Sequence, residues 1–116
     1  MIESTPKFIS GVFPFTGAGY DKTALLDSGL TYTVPADKRS QLIFFRVGNS
    51  SAEMIYLVLT KDGKPMRLFP IGAKSSEHVS LAVVEDLLPE SKLDVLVGAP
   101  QGVSGTVVLD IGLVEV

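Results

Sequence analysis

The chain has 116 residues, a formal charge of −3, and neither cysteine nor tryptophan. That length suits one domain burying roughly two thirds of its unfolded surface, and the missing thiols exclude disulfides, thiol catalysis and thiolate metal sites. Lysines and arginines are scattered singly apart from Lys38-Arg39, which leaves no footprint for a phosphate backbone, so nucleic acid is not expected as a direct partner.

In chain order, "MIESTPKFIS" has an acid and a proline where a signal peptide needs a basic head and an apolar run. No signal peptide and no membrane-spanning stretch is expected. Residues 1–22 read as an extended apolar arm, broken by glycine and proline, and residues 23–116 as a β-sandwich domain. Phe8, Ile9, Val12, Phe13 and Phe15 are the arm's anchors, each phenylalanine having roughly 1.5–3 kcal/mol to recover on burial. The arm packs on its own domain as an edge strand, reaches across to a neighbour, or stays disordered.

"GAGYDKT" (17–23) has the glycines and the Lys-Thr pair of a phosphate loop. However, a Walker-type loop needs glycine immediately before the lysine, a strand before it and a helix after it. Asp21 occupies that place and strand-like sequence follows, so Gly17 and Gly19 read as joints between arm and domain, with Tyr20 anchoring the arm's end.

Beyond the arm, apolar runs recur between turn residues: "TALLD" (23–27), "LTYTV" (30–34), "QLIFFRVG" (41–48), "MIYLVLTK" (54–61), "PMRLFP" (65–70), "EHVSLAVV" (77–84), "KLDVLVG" (92–98) and "GTVVLDIGLVEV" (105–116). This spacing predicts an all-β fold, an antiparallel β-sandwich or jelly-roll-like barrel of seven to eight strands. Asp62-Gly63 predicts a two-residue hairpin, because both residues accept positive φ. "LIFF", "IYLVL" and "VVL" are apolar on both faces, and mean hydropathy is +0.35. Outer faces of that kind need cover from the arm, another copy or another protein.

Candidate chemistry is sparse. His78 is the only histidine and stands at a strand start, Glu85-Asp86 reads as a solvated turn, and no cofactor or metal is expected. Lys38 and Arg39 in "VPADKRS" read as a polar turn, or as a contact with an acidic neighbour.

"TVPADK" (33–38), "GNSS" (48–51) and the strands at 79–84 and 92–97 around a polar loop carry a resemblance. Over roughly residues 30–112 the chain resembles small virion structural proteins of tailed bacteriophages; "LLPES" (87–91) departs from their usual Ala-Gly or Pro-Gly turn. The resemblance implies a non-enzymatic decoration (cement), head-to-tail or tail-associated protein, located in the virion after assembly in the host cytoplasm. Its partners would be itself, as a homo-oligomer with a trimer among the symmetries that suit a shell, and a larger protein shell such as a major capsid protein. Its interface would use the arm residues, Tyr20, Lys38 and Arg39. The alternative reading is a stand-alone ligand- or carbohydrate-binding β-sandwich with its arm folded back.

Overall fold

The computed structural model of the chain describes residues 4–116, and for residues 81–85 the backbone alone. Among the described residues it is all-β apart from one 3-10 turn at Ser28–Leu30. The strands are β1 (Thr5–Thr16), β2 (Gly19–Leu25), β3 (Tyr32–Thr33), β4 (Ser40–Asn49), β5 (Ile55–Lys61), β6 (Lys64–Ile71), β7 (Ser76–Leu87), β8 (Lys92–Ala99) and β9 (Ser104–Glu115). They form two antiparallel sheets, one ordered β1-β9-β4-β7 and the other β2-β8-β5-β6, with short β3 also pairing with β8. Apart from the β5–β6 hairpin and the step from β2 to β3, each connection passes from one sheet to the other. This is the double-sheet jelly roll, which buries two inner faces against each other.

The hairpin forms where Asp62-Gly63 predicts it, with φ of 52° and 81° at the two turn residues. Between the sheets lie Leu42, Phe45, Leu109 and Ile111 from one side and Ile55, Leu57, Phe69 and Val95 from the other, all 5% exposed or less. Phe45 stacks on Phe69 across the interior at 3.9 Å between ring centroids. Leu26, Leu30 and Val34 are buried in the same core, from the segment linking β2 to β4.

Residues 5–16, read as an arm that could pack on its own domain as an edge strand or reach a neighbour, do the former and form a full edge strand. β1 pairs with β9 without interruption from Thr5–Glu115 to Thr16–Ser104. Pro6 and Pro14 are tolerated there because an edge strand has one unpaired side; having the same parity, both remove donors from the same side. The expected boundary at residue 22 therefore falls inside β2, and residues 1–3 of the arm lie outside the described residues.

The glycine joint is also tighter than expected. Gly17 donates to Val103 O at 2.7 Å and accepts from Gly102 N at 3.0 Å. A Cβ at Gly17 would lie 2.2 Å from Pro100 O, so only glycine lets the β1–β2 corner close on the β8–β9 loop. Gly17-Ala18 is a fixed corner between sheets, and the rest of "GAGYDKT" opens β2.

Asn49, at the end of β4, is 4% exposed and fully used. Its amide donates to Glu53 O (2.9 Å) and Gly72 O (3.1 Å), and its Oδ1 accepts from Ser51 N (2.9 Å) and Ser51 Oγ (2.8 Å). One side chain thus ties the β4–β5 connection to the β6–β7 connection.

Candidate functional site

Strand alternation assigns the arm residues to opposite faces. Ile9 and Phe13 are half-buried against the core and Phe15 belongs to it, whereas Phe8 (64%) and Val12 (65%) are among the most exposed apolar residues. Of the five anchors expected at an interface, two face outward and three help fill the protein's own interior. Tyr20 is exposed, donates to Met54 O at 2.8 Å and stacks on Tyr56 at 6.3 Å, and Tyr56 OH donates to Tyr20 O. Lys38 closes a turn with its N–H on Pro35 O (3.1 Å), and Arg39 is ion-paired with Asp86. Glu85, the other acid of that expected turn, is outside the described side chains.

The antiparallel registers set the outer face of the β1-β9-β4-β7 sheet as three rows, each crossing all four strands. The first is Val12, Val108, Gly48 and Ser76; the second Ser10, Asp110, Arg46 and His78; the third Phe8, Gly112, Phe44 and Ser80. In the polar row Ser10 Oγ donates to Asp110 Oδ1 at 2.8 Å and Arg46 donates to Asp110 Oδ2 at 3.0 Å. The Arg46 guanidinium also lies 4.9 Å from the Phe44 ring centroid. Phe8 (6.4 Å) and His78 (6.0 Å) contact the same ring. Phe44 covers Gly112, where a Cβ would meet it at 2.0 Å. A β-bulge between Leu42 and Phe44 leaves Ile43 40% exposed. A depression of about 560 Å³ opens over Gly48, rimmed by Arg46, His78, Ser76, Asp110 and Val108.

The opposite outer face carries an apolar row. Leu25 pairs with Leu96, Leu96 with Val58 and Val58 with Leu68, an apolar row across β2, β8, β5 and β6. Leu68 (61%) and Leu25 (45%) are exposed at its two ends. Sequence reasoning identified the apolar surplus on both faces but could not assign the rows, because they join residues far apart in the chain.

One buried titratable cluster lies at the start of β4. Tyr32 OH donates to Glu115 Oε2 at 2.6 Å and lies 2.6 Å from Ser40 Oγ, with Glu115 and Ser40 both buried. Burial above all, and then the carboxylate beside it, pushes the Tyr32 hydroxyl up to about 12. Among the described residues no group of three or more histidines and carboxylates is placed to hold a metal ion, and no helix is long and apolar enough to cross a membrane.

No protein-family model and no curated protein matches the chain. Among solved structures it is similar to the exo-beta-1,3-galactanase of Phanerochaete chrysosporium crystallised with galactose, at 12% identity and a TM-score of 0.40. That likeness covers 93% of this chain but 29% of that one, and at this level it carries no conclusion about activity.

Proposed function

We propose that the chain is a non-enzymatic assembly component that docks between protein neighbours through both outer faces of its jelly roll. The particular role proposed is a decoration or cement protein of a virion shell. The observation carrying this reading is the exposure of Phe8, Val12, Val108, Leu25 and Leu68 on ordered strands of two opposite faces. Each would recover roughly 1.5–3 kcal/mol on burial, and apolar surface concentrated this way on a small domain marks contact surfaces. The virion assignment is supported by the turn chemistry at "TVPADK" and "GNSS". An antibody against the chain, applied to gradient-purified particles from a lysed host culture, tests it. Signal in the particle fraction is expected, and signal confined to the soluble fraction overturns the virion role.

The depression over Gly48, with donors and a carboxylate on its rim, favours a second reading as a ligand- or carbohydrate-binding module. A strictly monomeric chain retarded in a polysaccharide gel would decide for that reading.

A further inference from the structure

We propose that the outer face of the β1-β9-β4-β7 sheet pairs with the same face of a second copy of this chain, about a two-fold axis running along the strands between β9 and β4. The proposal names the partner of one face in the assembly reading and rests on that reading.

A two-fold axis so placed sets each row against its own reverse, so that residue i meets j and j meets i. In the first row Val12 comes opposite Ser76 and Val108 opposite Gly48. In the second, Asp110 comes opposite Arg46, twice by symmetry, and Ser10 opposite His78. In the third, Phe8 comes opposite Ser80 and Phe44 opposite Gly112. Val12, Val108, Phe8 and His78 each meet a serine or glycine, Phe44 comes opposite a glycine that the partner's own Phe44 overlies, and each charge meets its opposite. The hollow over Gly48 is the receiving space for the partner's Val108, which stands out 54% exposed. Arg46 and Asp110 already bond within one copy through a single guanidinium nitrogen, leaving Arg46 donors for the opposing carboxylate.

The area is also sufficient. Four strands about 4.8 Å apart and ten to twelve residues long, at about 3.3 Å per residue, give a face of roughly 650–750 Å², close to the roughly 800 Å² per partner of a stable interface. Two such faces can pack about 10 Å apart with strands within about 30° of alignment, as stacked sheets commonly do. The mixed outer rows of the β1-β9-β4-β7 sheet encode a register between copies, which a uniform apolar row does not.

Sedimentation velocity of the full-length chain tests this, with three variants. A Cβ at Gly48 meets only Val108 Cβ, at 3.9 Å, so Gly48→Leu is accommodated by the isolated fold. It fills the receiving hollow and should weaken the dimer about 100-fold with an unchanged thermal melt. Arg46→Asp and Asp110→Arg each set like charges face to face and should be monomeric alone at concentrations where wild type is dimeric. Mixed in equal amounts, these two variants should pair with each other. Wild type that stays monomeric at about 1 mM, or a mixture that does not pair, overturns the proposal. A dimer surviving Gly48→Leu overturns this pairing and leaves the assembly reading standing. A chain that pairs as stated but is missing from the particle fraction overturns the virion role and leaves the pairing standing.

Discussion

Strand β4 starts at Ser40, beside Tyr32 and Glu115, and ends at Asn49, so one strand connects two differently built closures of the same sandwich. At the Asn49 end a neutral amide uses its donors and acceptor on the loops around it. At the Ser40 end the closure is a phenol donating to a buried carboxylate. A neutral amide is indifferent to pH over the range a protein tolerates, whereas the Tyr32 phenol titrates. Equivalent positions in the architecture thus differ in what can open them.

The largest effect should come from removing the neutral closure. Asn49→Ala leaves buried partners unsatisfied in two connections and should cost about 2–4 kcal/mol, read as a lower denaturation midpoint that is the same at pH 6 and pH 9. Tyr32→Phe should cost less, about 2 kcal/mol, because the bonds to Glu115 and Ser40 are lost and both groups stay buried without them.

Titration separates the two ends further. The folded-state value of Tyr32 is raised to about 12 from 10.0, so the folded state holds this proton more tightly than the unfolded state. That stabilisation is fully present below pH 10 and declines as pH rises from about 10 to about 12. Wild type should lose stability over this window and Tyr32→Phe should lose less. By tyrosinate absorbance, a transition near pH 12 present in wild type should be missing from Tyr32→Phe. Equal alkaline slopes in the two proteins would remove the distinction between the ends. The smallest effect concerns Glu90, which holds φ of +68° in the β7–β8 turn while its N–H bonds Val34 O. Glu90→Gly relieves that conformation and should raise stability by about 0.5 kcal/mol, measured by chemical denaturation.

The hairpin at Asp62-Gly63 was legible because its cause is local: two residues that accept positive φ between apolar runs. "LTYTV" was legible as extended chain, but only Tyr32 and Thr33 pair, since Leu30 ends a 3-10 turn and Pro35 follows at once. β1 was legible only as one of several readings of the arm, an edge strand on its own domain, and its register was not. Gly11, Pro6 and Pro14 lower its intrinsic preference, and the β9 residues that organise it lie about a hundred positions further on. The faces of Ile9, Phe13 and Phe15 follow from that pairing, so their burial was hidden with it. The complementary rows on the outer sheet face depend on four strands being adjacent, and the sequence read alone carries no register between β1, β9, β4 and β7.

The pairing of β1 with β9 also sets a timetable for synthesis. Ser10 and Asp110, bonded in the finished fold, are separated by 100 residues. At about 5–20 residues per second on the ribosome, β1 emerges on the order of 5–20 s before its ladder partner exists. Throughout that delay Phe13 and Phe15 have no β9 to lie beside, so the nascent chain presents them to whatever chaperone waits at the exit tunnel. The sandwich can close only after β9 has been made.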